Sequence, residues 1–278
     1  MDSPSQPIIR TRSPRSDLSL FPNLFYLGPQ RTGSTWLHAN LSRHPEVHLH
    51  RDKETFYFST LARKNNPRFR HEFLEDYLAT FREPAGRRLL KHYHALRRCG
   101  LTYRPKVRGD FTASYGVLES GVIRQILALR PELRGIILVR DPLERAWSHA
   151  KKDLLRGQSV RPDDGQLLDF MRSPEQLARA DYGAVIRRWR DHLSPGHIFV
   201  APYGRISTNP SGLIDDISGF LCIRRLGGPS QRHLSSRQNV TSSETLPENL
   251  RADMENILAE ALASCHQLLS EIGPGKIY

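Results

Sequence analysis

The chain has 278 residues, 38% of them hydrophobic, 8% aromatic and 25% charged. That is enough apolar material for a large core, and it excludes a disordered chain, a collagen or a coiled coil. Lys and Arg number 41 against 29 Asp and Glu, a net charge of +12 that suits a polyanionic ligand, a nucleic acid or plain solubility. Cys99, Cys222 and Cys265 are too few and too scattered for a disulfide scaffold or a Cys-based zinc site, and they read as reduced thiols in a cytoplasmic protein.

Residues 1–20 are polar, carry Arg10, Arg12 and Arg15, and lack the apolar stretch of a signal peptide; the expectation is a flexible basic tail ahead of a single domain over 21–278. Residues 24–27 are a short apolar run ending at Gly28, which predicts a buried strand. The loop Gly28-Pro29-Gln30-Arg31-Thr32-Gly33-Ser34-Thr35 follows. A helix then runs to Leu41 and stops before His44 and Pro45. Residues 47–49 read as a second short strand. From 61 to 104 the chain is basic and irregular, with a helix over 68–81 that spaces Phe69, Phe73, Tyr77 and Phe81 by four. Residues 107–111 predict a strand running into a turn, and 117–129 a helix closed by Pro131.

The continuous apolar run at 135–139 suits a central parallel strand covered on both faces. Arg140 and Asp141 end it, and Pro142 opens a helix. Residues 157–164 read as a polar loop, 174–192 as a helix, 197–200 as a strand and 211–221 as a helix. A long polar loop fills 227–247. The last helix, 247–272, places Leu250, Met254, Ile257, Leu258, Ala261 and Leu262 on one face. Strands alternating with helices predict an α/β domain with a central parallel sheet flanked by helices. No run of about 18 apolar residues exists, so no membrane span is expected.

Gly28 and Gly33 have the G-x-x-x-x-G spacing of a P-loop, but Ser34 stands where a nucleotide triphosphatase has its lysine. A strand–loop–helix unit still aims backbone N–H groups and a positive helix end at an anion. Arg31, Ser34 and Thr35 add side-chain donors, which points to one phosphate group rather than a triphosphate chain. Arg140 at a strand end and Ser148 two turns into the next helix offer a second set of donors. The alternative is a local Arg140–Asp141 ion pair. Arg145 is expected to pair with Asp141 or Glu144 across the helix.

Together the two segments resemble the sulfotransferases that use 3′-phosphoadenosine 5′-phosphosulfate (PAPS), in the branch of the heparan sulfate sulfotransferases and their bacterial relatives. The run from Pro29 to Leu37 is similar to the loop that binds the 5′-phosphosulfate. The motif R-D-P-x-x-R-A-x-S, which binds the 3′-phosphate, stands intact from Arg140 to Ser148. Lys53-Glu54-Thr55-Phe56-Tyr57-Phe58 resembles the family's K-E-x-x-F-F element, and Gly109-Asp110-Phe111-Thr112-Ala113-Ser114-Tyr115 its G-E-K-T-P-S-Y stretch. Tyr182 with Trp189 is similar to a helix that approaches the nucleotide. Arg237, within 235–239, matches the last nucleotide loop.

The resemblance implies a P-loop-like nucleotide-binding fold and transfer of a sulfuryl group from PAPS to a hydroxyl or amine, with PAP as product. It implies nucleotide contacts from Arg31, Thr32, Gly33, Ser34, Thr35, Trp36, Arg140, Ser148, Tyr182 and Arg237. Glu54 aligns with the catalytic glutamate and is the expected base; Arg31 stabilises the leaving phosphate, and no metal is expected. Lys53, Asp110 and Phe111 are expected on the acceptor side. Two positions depart from the family: its loop lysine is Arg31, which keeps the charge but is a poor acid. The second lysine is Phe111, which removes a basic contact and speaks against a polysaccharide acceptor; residues 61–104 and 157–174, rich in Phe, Tyr, His and Arg, are expected to shape the acceptor pocket and favour a small molecule with aromatic or anionic parts. The related cytosolic branch uses a histidine base, so His48, His50, His92 and His94 are alternatives; neither His-x-His pair has a clear third metal ligand. A P-loop nucleotide kinase is the competing reading, opposed by Ser34. A nucleic-acid-binding module fits the charge but lacks any recognition motif.

Overall fold

The computed structural model describes residues 8–13, 17–155, 161–227, 234 and 245–278. Strand β1 (Leu24–Tyr26) leads into helix α1 (Ser34–Leu41) and β2 (Val47–Leu49). Helices α2 (Tyr57–Thr60), α3 (Leu74–Ala79) and α4 (Ala85–Cys99) precede β3 (Val107–Asp110). A 3₁₀ turn over Ala113–Val117 and α5 (Ser120–Leu129) lead to β4 (Arg134–Val139). Helix α6 (Pro142–Ala150) runs on into a π-type turn, Lys151–Leu155. Helices α7 (Asp164–Arg172), α8 (Pro174–Ala180) and α9 (Tyr182–Arg190) come before β5 (Ile198–Pro202). The chain closes with α10 (Arg205–Thr208), α11 (Pro210–Phe220), α12 (Glu248–Ile257), α13 (Ala259–Ile272) and β6 (Lys276–Ile277).

One sheet holds the strands in the order β2-β3-β1-β4-β5-β6. All pairings are parallel except β5 with β6, which is antiparallel and was not foreseen. Every residue of β1 is fully buried, because helices cover both faces of the sheet. Phe25, Ile137, Val139 and Val200 pack on one side with Ile123, Trp189 and Leu268, from α5, α9 and α13. Leu24, Tyr26, Ile136 and Leu138 pack on the other with Leu37 of α1 and Leu213 and Ile217 of α11. This two-residue alternation is what a strand buried on both faces produces.

The helix expected over 68–81 shrinks to α3. Phe73 is extended, with φ −106° and ψ 147°, and its backbone bridges Arg10 instead. The described part of the first twenty residues therefore does not run free. Leu74 N–H donates to the Arg10 carbonyl at 2.8 Å, Arg12 forks onto Asp76 with both contacts at 2.6 Å, and Ile9 N–H reaches Gln125 at 2.9 Å. Helix α4 forms in a stretch that reads as irregular. The span 174–192 breaks at Asp181, whose carboxylate caps the Ala184 N–H at 2.8 Å, and the last helix breaks at Leu258. Helix α7 starts on a capping box formed by Asp163 and Gln166. Most of the loop over 227–247, with Arg237, lies outside the described residues.

Candidate active site

Strands β1 and β4 are neighbours, with Tyr26 opposite Ile136, so the segments leaving their C-terminal ends lie side by side. Ligands of open α/β sheets bind beyond such ends. Leu27 N–H donates to the Ile136 carbonyl at 2.8 Å, and the loop then turns through left-handed backbone at Arg31 (φ 73°) and Gly33 (φ 90°). A Cβ at Gly33 would stand 2.4 Å from Ile206 Cδ1 and 3.2 Å from Tyr203, so glycine is required twice over. No side chain caps α1 at Gly33; the first-turn N–H groups face the loop with Ser34 and Thr35.

The Thr32 hydroxyl does not face the cleft. It is fully buried and donates to the Pro29 carbonyl at 2.7 Å, while Tyr26 OH donates to the Thr32 carbonyl at 2.9 Å. Thr32 thus shapes the loop from inside, its hydroxyl engaged with the loop's own Pro29 carbonyl and with Tyr26. Trp36 is similar: its ring is in the core, and Nε1 donates to the Leu234 carbonyl at 3.0 Å.

The second segment meets the first directly. Arg31 Nε donates to Ser148 Oγ at 2.9 Å, and Arg140 Nη1 donates to the Arg31 carbonyl at 3.1 Å. The Arg140 guanidinium also stacks over Tyr203 at 4.8 Å. Its backbone N–H donates to Tyr182 OH at 3.2 Å; Tyr182 is buried, and desolvation raises its phenol well above the ordinary range. Tyr182 therefore fixes the strand end that carries Arg140. Asp141 is occupied as the cap of α6, accepting from the Glu144 N–H at 2.9 Å. Arg145 does not pair with Asp141 or Glu144. It is fully buried, donates to Gln176 Oε1 at 2.9 Å, and burial lowers its pKa to about 10.

After β2, a turn with positive φ at Lys53 (60°) and Phe56 (57°) carries Glu54. Glu54 Oε1 lies 3.1 Å from Lys53 Nζ and accepts from the Ala113 N–H at 3.4 Å. Beneath the turn, Asp110 is fully buried. Its Oδ2 accepts from Thr55 Oγ1 (2.6 Å), Tyr77 OH (3.0 Å) and Tyr115 OH (3.0 Å), and its Oδ1 from the N–H and hydroxyl of Thr112 (3.0 and 2.6 Å). Burial raises its pKa against the pull of these donors. Asp110, expected on the acceptor side, thus has its carboxylate committed to buried partners, Thr55 and Thr112 among them. Phe111, expected on the acceptor side, is also fully buried, its ring stacked on Tyr26 at 5.5 Å and 15°.

Beside Glu54 opens a cavity of about 420 Å³ whose wall carries Arg51, Arg68, Arg70 and Arg87. These four were not singled out from the sequence; for Arg68, Arg70 and Arg87 the basic character of 61–104 was the available signal, and for Arg51 there was none. His50 also lines it, and burial lowers its pKa. His48 is buried with its Nε2 on the Phe81 carbonyl at 3.1 Å, and His92 and His94 lie on α4. A second cavity, about 560 Å³, sits between α6 and α12–α13. Its wall includes Asp141, Glu144 and Glu255, which does not suit a phosphate. Among the described residues, no group of three or more His, Cys, Asp or Glu could hold a metal ion.

The family model described as "Sulfotransferase family" matches residues 22–225. Human bifunctional heparan sulfate N-deacetylase/N-sulfotransferase 2 is 23% identical over 214 residues, 73% of this chain and 22% of that protein. The chain therefore spans about a fifth of the length of the curated relatives it matches. The sulfotransferase from Alicyclobacillus acidocaldarius superposes with a TM-score of 0.61 at 18% identity, covering 90% of this chain and 96% of that one. Mouse sulfotransferase SULT7A1, solved with PAP, gives 0.50 at 14% identity over 89% and 88% of the two chains. At such identities the likeness speaks for the fold.

Proposed function

Since the chain belongs to the sulfotransferase family, and is thus a sulfotransferase, we propose that its donor is PAPS and its acceptor a small molecule presenting a hydroxyl or amine. The observation that carries this reading is the junction of the two donor segments, Arg31 on Ser148 and Arg140 on the Arg31 carbonyl. It makes one cationic unit from two strand ends. The donors suit a nucleotide with a phosphate at either end. The uncapped start of α1, with Gly33, Ser34, Thr35 and Arg31, would take the 5′-phosphosulfate; Arg140 and Ser148 would take the 3′-phosphate.

PAPS, when bound, supplies the sulfuryl group. The chain's own part is to orient the reactants and to meet charge where it develops. Arg31 is placed to stabilise the phosphate that departs. A guanidinium holds its proton, so this role is electrostatic rather than acidic, and it replaces what a divalent ion does in phosphoryl transfer. Glu54 is the base that accepts the acceptor's proton, oriented by Lys53 Nζ and the Ala113 N–H; such a group contributes ~10²–10⁴-fold. The arginines of the neighbouring cavity favour an acceptor with anionic parts.

Titration calorimetry with PAP, paired with a sulfuryl-transfer assay from labelled PAPS, tests the reading. The wild type is expected to take up PAP and Arg140→Ala to bind at least about tenfold more weakly, as for the loss of a charge-assisted contact. Glu54→Gln is expected to keep PAP affinity and lose turnover. Equal loss of both would make Glu54 structural. Uptake of Mg-ATP in preference to PAP would restore the kinase reading.

A further inference from the structure

Helix α4 carries its apolar side outward. Leu89 is 71% exposed, Leu90 55%, Tyr93 51% and Leu96 44%. They are four of the seven exposed large hydrophobic side chains among the described residues. At about 100° per residue, Leu89, Tyr93 and Leu96 form one stripe, and Leu90 widens it. The side that faces the protein holds Ala95, the helix's one buried residue, and Lys91, which donates to Glu83 at 2.6 Å. The ordinary amphipathic arrangement is thus reversed.

The flanks of the stripe are strongly basic. By the same rotation Arg88 and Arg87 lie to the two sides of the stripe and Arg97 lies within it beside Tyr93, and the helix has no acidic residue in its 15 positions. Arg97 donates to Tyr93 OH at 3.3 Å and lies 5.9 Å from its ring. Arg87, near the start of α4, also lines the cavity beside Glu54.

We propose that α4 is an interfacial helix that seats the protein on an anionic lipid surface. Its leucines and Tyr93 would enter the acyl boundary, with its arginines at the level of the phosphates. Charge complementarity selects this occupant. A second copy of the same face would oppose arginine to arginine within a chain of net charge +12. A lipid surface needs no shaped groove to receive a convex helix, and it lets long cationic side chains reach the headgroups. Among the described residues, no helix is long and apolar enough to cross a bilayer.

Co-sedimentation of the full chain with vesicles decides the matter. The wild type is expected to bind phosphatidylcholine vesicles that contain phosphatidylglycerol, not pure phosphatidylcholine, and to release as salt is raised. The triple variant Leu89→Ser, Tyr93→Ser, Leu96→Ser changes only exposed positions. With an unchanged melting temperature, it is expected to lose about tenfold or more in partitioning. Arg88→Glu with Arg97→Glu is expected to do the same. A wild type that stays in solution with the anionic vesicles overturns the proposal. So does a serine variant that binds as well as the wild type, since basic charge alone would then suffice. A wild-type dimer that binds no vesicles and becomes a monomer in the serine variant would overturn it in favour of self-association.

Discussion

Gly33 is the position in the glycine loop where a side chain is most strained. Its left-handed backbone and the side chains of Ile206 and Tyr203 stand where a Cβ would go. Gly33→Ala is expected to lower stability by about 1–3 kcal/mol in urea unfolding and to weaken PAP uptake, because the same turn aims the first N–H groups of α1. Asp110 makes a second single-residue prediction. Asp110→Asn keeps the shape but removes one acceptor oxygen from a site of five donor contacts. A loss of about 2–3 kcal/mol is expected, with turnover falling more than PAP affinity because Thr55 adjoins Glu54. At this scale the sequence located the residues better than it located their side chains. Arg31, Arg140 and Ser148 converge as their motifs implied. Thr32, Trp36, Asp110 and Phe111 sit in motifs too, yet they point inward. A motif fixes position along the chain, while depth depends on which strand lies beside it: Phe111 is buried because β3 pairs with β1 at the centre of the sheet.

The connection between α3 and α4 is held by Glu83. Its carboxylate lies 3.1 Å from His48 Nδ1, 2.6 Å from Lys91 Nζ and 2.8 Å from Tyr103 OH. Burial pushes its pKa up, but these partners outweigh burial and bring it from 4.5 to about 2. The folded state therefore prefers the ionised form. The stability this contributes is complete above the unfolded value of 4.5 and is lost as pH falls through the window down to about 2. Glu83→Gln should be less stable than the wild type at neutral pH, on the order of 2–3 kcal/mol for the pH-dependent part. The gap should narrow steadily as urea unfolding is repeated at lower pH. Among the elements, β1, β4 and α6 were legible because continuous apolar runs end in Gly28 and in Asp141-Pro142. Helix α4 was not, since its apolar residues serve no core and its charges read as loop. The break at Asp181 was hidden inside an unbroken helical pattern, where an aspartate can cap or simply face water.

At the scale of the whole molecule, net charge and site have opposite salt dependences. A chain of net charge +12 repels itself when folded, so moderate salt is expected to raise the melting temperature. The same salt is expected to weaken PAP uptake, because it screens the cationic cluster at the strand ends. A melting series and a calorimetric series in sodium chloride check both signs. The α/β class and the parallel core followed from the alternation of strands and helices; the antiparallel β6 did not, being two exposed residues at the edge. The order of the sheet brings together groups far apart in the chain: Arg31 and Ser148 are separated by 117 positions. A nascent chain emerging from the ribosome owns the glycine loop early but lacks its counterpart until β4 and α6 have followed. The clasp between the loop and α6 thus forms only once about half of the chain has been made, and an arrested chain that stops short of Ser148 would carry the loop without it.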